Sequence, residues 1–218
     1  MNLNGLREQQ IHGVEVAGSW QAVSAACRTS ACHFTDVAAC FGLLTAPQDT
    51  FRLPAVIWIT GLPAAGKTTL AQRIQATLRA QSVPVVVLDG DDLRRTVNAD
   101  LGYGEEARHE NVRRIGEIAR VLVAQSFTVV VACISPFRAQ RDALRRTFPE
   151  GQFVEVFADT PIEVCQQRDP KGLYRRAAAG ALRQMTGVDA GYEAPFNPEL
   201  VFKPDGFDEE EFLRRFRL

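Results

Sequence analysis

The sequence predicts an α/β fold: a mainly parallel sheet with helices on both faces, in three layers. Two observations carry this. Four short apolar runs follow one another from residue 53 onward, and the stretches between them are charged and amphipathic with a helical period. A strand–helix alternation of this kind predicts parallel pairing, because parallel neighbours need a crossover connection.

The first run, Leu53–Thr60, is rich in β-branched residues and ends in glycine. Lys67–Ala80 follows, with Leu70, Ile74 and Leu78 on one helical stripe. Pro84–Leu88 is the second run and leads into Asp89-Gly90-Asp91. Glu105–Gln125 is a longer helix with Val112, Ile115, Ile118, Ala119 and Leu122 on its apolar side, and its acidic first turn suits the helix dipole. Phe127–Cys133 is the third run and Gln152–Ala158 the fourth; Arg138–Thr147 and Ile162–Gln167 are shorter helices. All four runs read as strands buried on both faces. A short amphipathic helix is expected over Phe207–Leu218, acidic residues first and basic ones last.

The chain has 218 residues, a net charge of −1 and no basic excess, which argues against an electrostatic nucleic-acid binder. No apolar run is long enough to span a bilayer, and Met1–Gln10 lacks the basic-then-apolar order of a secretory signal. Five cysteines, with Cys133 and Cys165 in segments that read as buried, fit a reducing, cytoplasmic setting.

Between the first run and the first helix stands Gly61-Leu62-Pro63-Ala64-Ala65-Gly66-Lys67-Thr68, followed by Thr69. This is the pattern G-x-x-x-x-G-K-[ST] in its strand–loop–helix context. Glycines allow the tight turn that aims consecutive N–H groups at phosphate oxygens, and the helix N-terminus adds partial positive charge. Lys67 is expected on the β- and γ-phosphates of ATP and the Thr68 hydroxyl on Mg²⁺. The fold is therefore a P-loop NTPase, a superfamily of motors, transporters, GTPases and small-molecule kinases that the second strand narrows to the kinase type. A base-reading N-K-x-D motif is absent, which argues against a GTPase. Asp89 and Asp91 end the second strand at the edge where such sheets bind ligands. One could orient or deprotonate an attacking hydroxyl and the other hold Mg²⁺ through water.

Further blocks carry a resemblance. They are Leu88-Asp89-Gly90-Asp91-Asp92-Leu93-Arg94, Asn98 to Tyr103, Arg108 with Asn111, and Ile134-Ser135-Pro136-Phe137-Arg138. Then come Arg168 to Tyr174, Thr186-Gly187, and Tyr192-Glu193-Ala194-Pro195 with Asn197 to Leu200. From about Val56 to Leu200 the chain resembles the adenylylsulfate kinase family, whose members make 3′-phosphoadenylylsulfate. The resemblance implies that Asp91 is base or orienting acceptor for the ribose 3′-hydroxyl, with Asp89 beside it and Lys67 catalytic. It implies that Arg94, Arg108 and Asn111 hold the phosphosulfate and ribose, and that Ile134 and Ser135 line the nucleotide. Lys171 falls in a mobile lid over about residues 168–191, and the assembly would be a homodimer. For Arg113 and Arg114 a solvated helix face with local ion pairs is expected instead. Where the family places two phenylalanines against the substrate adenine, this chain has Tyr103 and Met185. The methionine leaves a second acceptor open, another nucleotide-linked compound; a non-catalytic nucleotide-binding module is the third reading.

Residues 1–52 form an N-terminal extension outside the resemblance, expected to be disordered or loosely packed, ahead of a kinase domain over 53–218. Cys27, Cys32, His33 and Cys40 there match no standard zinc spacing.

Overall fold

The computed structural model describes residues 51–203 and 206–218. The expectations for residues 1–50 of the extension, including its cysteines, therefore lie outside the described residues. Five parallel strands form one sheet: β1 (Val56–Thr60), β2 (Val85–Asp89), β3 (Thr128–Ala132), β4 (Phe153–Ala158) and β5 (Leu200–Phe202), in the order β2-β3-β1-β4-β5. The helices are α1 (Lys67–Ala80), α2 (Gly90–Arg95), α3 (Glu105–Ala124), α4 (Arg138–Arg145), α5 (Ile162–Arg168), α6 (Leu173–Ala178) and α7 (Glu209–Phe216). No helix among the described residues is long and apolar enough to cross a membrane.

The pleat of β1 sorts the two cores. Ile57 and Ile59 join Leu70, Ile74 and Leu78 of α1 on one face, while Val56 and Trp58 join Val112, Ile115 and Ala119 of α3 on the other. β1 pairs with β3 and β4 in register Val56↔Val129 and Val56↔Phe153, so both central neighbours present the same two faces. The amphipathic α7 buries Phe212 and Phe216 in the α1-side core. Phe51 packs on Phe216 with ring centroids 5.0 Å apart, and its N–H donates to the Arg215 carbonyl at 2.8 Å.

Four elements depart from the expectation. β2 is an edge strand whose last four residues are half-buried, because β3 covers only one of its sides. β5 has three residues, too few for a period to show. α2 and α6 have six residues each, and α2 begins directly at Gly90, capped by the Asp89 carboxylate accepting from the Asp91 amide at 2.8 Å.

Candidate active site

The phosphate loop sits where β1 hands over to α1. Gly61 packs so closely on β4 that a Cβ there would lie 2.8 Å from the Ala158 carbonyl oxygen. Gly66 holds φ +93° at the α1 N-cap, a conformation only glycine adopts without strain. Pro63 and Ala65 are buried, Leu62 and Ala64 half-buried, and Thr68 and Thr69 exposed. Thr160 donates its hydroxyl to the Ala65 carbonyl at 2.9 Å and Tyr174 donates to Pro63 at 3.1 Å, so α6 and the end of β4 brace the loop.

Lys67 lies half-buried in this loop and donates to the carbonyls of Gly61 (3.0 Å) and Leu62 (2.7 Å). Burial pushes its pKa down to about 8, against the opposing pull of Asp91 and Asp89 among others. The Thr68 hydroxyl donates to Asp89 Oδ2 at 2.6 Å, which brings the first turn of α1 and the end of β2 together. These are hard oxygen donors, and no group of three or more His, Cys, Asp or Glu side chains gathers elsewhere among the described residues to hold a metal. A pair of such oxygens fits Mg²⁺, which keeps waters and takes further oxygens from phosphates. Asp91 stands exposed on α2 and forms an ion pair with Lys171 from the lid segment.

A second region opens beside the carboxylates. A recess of about 220 Å³ is walled by Tyr103, Arg108, Phe137, Gln184 and Thr186, among others. Tyr103 is 63% exposed, and the Arg94 guanidinium lies over its ring at 4.8 Å. Arg94 donates to the Gly102 carbonyl at 2.7 Å. Arg108 donates to the Tyr103 carbonyl at 2.8 Å and the Thr186 hydroxyl at 2.6 Å, and also reaches the Gln184 carbonyl. Among the described residues neither Arg94 nor Arg108 pairs with a carboxylate. Burial and the neighbouring Arg94 lower the Arg108 pKa from its ordinary value, against the opposing pull of Asp189 among others. Arg113 and Arg114, by contrast, are tied to Glu110 at 2.7 and 2.8 Å, and Arg114 also to Asp100, in the local ion pairs expected of a solvated face.

Three expected substrate residues lie deeper than the sequence suggests. Asn111 is 3% exposed; it accepts from Asn98 at 3.0 Å and donates to the Cys133 sulfur. Ser135 is 1% exposed and accepts from the Trp58 indole at 2.9 Å, while the Ile134 carbonyl accepts from Thr60 at 2.7 Å. Met185 also lies deeper than expected, at 5% exposure. Its side chain is buried in the α1-side core and does not line the recess, because the turn held by the Asp189 carboxylate rolls it inward. Phe137, stacked on His109 at 4.9 Å, supplies an aromatic wall that the sequence reading passed over. The one signal for it was its place directly after Ser135-Pro136.

The strand order, the phosphate loop and the carboxylates at the β2 end define a P-loop kinase. Residues 53–203 match the family model described as adenylylsulphate kinase. The chain is 47% identical to the adenylyl-sulfate kinase of Aeromonas hydrophila over 169 residues, 76% of this chain and 86% of that one. It is 46% identical to the bifunctional enzyme NodQ of Azospirillum brasilense, covering 74% of this chain but only 26% of that larger protein. Among solved structures, the Mycobacterium tuberculosis APS kinase in complex with AMPPNP and APS superposes with a TM-score of 0.69 at 39% identity, covering 73% of this chain and 94% of that one. The chain belongs to the adenylylsulphate kinase family.

Proposed function

We propose that this chain transfers the γ-phosphoryl group of MgATP to the 3′-hydroxyl of adenylylsulfate, giving 3′-phosphoadenylylsulfate and ADP. The observation that carries the acceptor side is the pair of guanidiniums, Arg94 and Arg108, left without carboxylate partners beside a recess with aromatic walls. Such a pair suits an anionic phosphosulfate next to a flat base.

The acceptor oxygen forms the new bond to the γ-phosphorus as the bond to the β,γ-bridging oxygen breaks, and ADP leaves. Asp91 orients the hydroxyl and takes its proton. The loop amides and Lys67 hold the β- and γ-phosphates, and Lys171 adds a cation from the lid side. Bound Mg²⁺ supplies charge neutralisation on the phosphates; Thr68 would hold it directly and Asp89 through water. Most of the acceleration on this reading comes from positioning, since phosphoryl transfer asks little covalent chemistry of the protein.

The test is ATP consumption with adenylylsulfate as acceptor, with Asp91→Ala run in parallel. The expected result is turnover by the native chain and a loss of about 10²–10⁴-fold in the variant, with MgATP affinity retained. MgATP binding without turnover of adenylylsulfate defeats the proposal. Free, buried Cys133 and Cys165 support a reducing, cytoplasmic setting. A homodimer is the assembly proposed from the family resemblance, and sedimentation at equilibrium decides it.

A further inference from the structure

The turn that follows β3 is held by three successive carbonyls, each gripped from a different part of the fold. Ile134 accepts from the Thr60 hydroxyl of β1 at 2.7 Å. Ser135 accepts from Arg141 Nη1 of α4 at 2.6 Å. Pro136 accepts from the Glu193 amide at 2.9 Å. Ser135 itself sits at φ +39°, a conformation that a non-glycine residue keeps only when its surroundings enforce it.

Arg141 is the node of this arrangement. Its side chain is 1% exposed and its other two arms are also used: Nε donates to Glu155 Oε1 of β4 at 2.6 Å, and Nη2 donates to the Glu193 carbonyl at 2.7 Å. Glu193 thus gives its amide to one residue of the turn and its carbonyl to the arginine that holds the next. Its carboxylate accepts from the Arg138 amide at 2.8 Å, and the neighbouring Tyr192 hydroxyl meets the Thr60 hydroxyl at 3.0 Å. A buried ion pair is weak evidence of stability in itself, because desolvation offsets the attraction. The planar fork contributes geometry, fixing three acceptors in a rigid planar arrangement as a rotating ammonium cannot.

Two of those acceptors adjoin the walls of the recess along the chain: Ser135 directly precedes one wall and Glu193 follows the other. Pro136 and Phe137 form one wall, and Gln184, Thr186 and Ala190, in the segment leading to Tyr192 and Glu193, belong to the other. We propose that Arg141 is a positioning residue for the acceptor: by cross-bracing the Ile134–Pro136 turn to Glu193, it fixes the separation of the two walls. The brace is a property of the ligand-free fold, and only its kinetic consequence rests on the reaction proposed above.

Arg141→Lys keeps a cation for Glu155 and removes the fork. Amide and indole hydrogen exchange on the ligand-free protein reads the brace directly. The expected result is exchange faster by about tenfold or more at the Glu193 amide and the Trp58 indole N–H, with the core amides of Ile59 and Val130 unchanged. Acceleration at all four sites together, or at none, overturns the proposal, since a residue that merely supports global stability moves every site alike. In steady-state kinetics the KM for adenylylsulfate should rise about tenfold while that for MgATP stays within about twofold. Equal movement of both constants overturns the positioning role. Should Arg141→Lys not fold, Tyr192→Phe loosens the same segment by one hydroxyl and is expected to give the same local pattern at smaller size; exchange unchanged at Glu193 in that variant counts against the brace. If the native chain shows no turnover, the reaction reading falls while the exchange comparison still decides the brace.

Discussion

The ammonium of Lys67 is expected to make nucleotide affinity depend on pH near neutrality, which an ordinary lysine would not. Burial lowers its pKa from 10.5 to about 8. At that value about nine tenths of the free protein carries the charge at pH 7 and about one tenth at pH 9. The phosphates attract the charged form, so the apparent Kd for MgATP should rise about tenfold between pH 7 and pH 9. At pH 8 binding should take up about half a proton, visible as a dependence of the calorimetric heat on buffer ionisation enthalpy. Lys67→Arg keeps a charged side chain throughout and should flatten the slope. A Kd that stays constant from pH 7 to 9 with no proton uptake refutes the reasoning. The sign for folding runs the other way. The charged form is the one disfavoured in the native state, so the penalty is full below about pH 8 and fades between about 8 and 10.5. This group therefore raises stability with pH in that window, by on the order of 3 kcal/mol, and Lys67→Met should lose that rise in denaturant titrations.

Three further outcomes test the packing. Gly61→Ala places a Cβ 2.8 Å from the Ala158 carbonyl, which is backbone and cannot step aside. It should cost about 1–3 kcal/mol in denaturant unfolding and weaken MgATP binding; unchanged values in both contradict the close approach. Gly116→Ala drives a Cβ into the Leu144 side chain where α3 meets α4. Overpacking there should cost about 1–3 kcal/mol, and combining it with Leu144→Ala should show a favourable coupling of about 1 kcal/mol or more. Met185→Ala should lower stability by about 2–5 kcal/mol, as a core truncation does. Unaltered stability with a raised KM for adenylylsulfate would return Met185 to the substrate.

Much of the framework was legible because its signals are local. The four long strands and α1, α3 and α7 announce themselves by period, and the phosphate loop by a spacing that its own backbone geometry requires. What escaped depends on neighbours. That β2 is an edge strand follows from strand order, to which a run of valines is blind. The inward roll of Met185 depends on the Asp189 carboxylate four residues later. The Arg141–Glu155 pair had one faint signal, a lone carboxylate inside the apolar run Phe153–Ala158, where a buried charge demands a partner. Its partner comes from α4, and no sequence spacing points to it.

The distances along the chain between bonded partners at this site bear on how it comes into being. Thr68 reaches Asp89 over 21 positions, but Arg108 reaches Thr186 over 78, Ala65 is met by Thr160 over 95, and Thr60 is met by Tyr192 over 132. A parallel sheet with β1 at its centre cannot pair β4 until most of the chain has been made. Emergence of the phosphate-loop sequence from the ribosome therefore leaves it without its brace from β4. The acceptor side waits longer still, until Tyr192 and Glu193 are available to close on the turn after β3. The site becomes complete only after the Tyr192–Glu193 segment has followed the phosphate loop out of the ribosome, so its long-range bonds form well after its local ones.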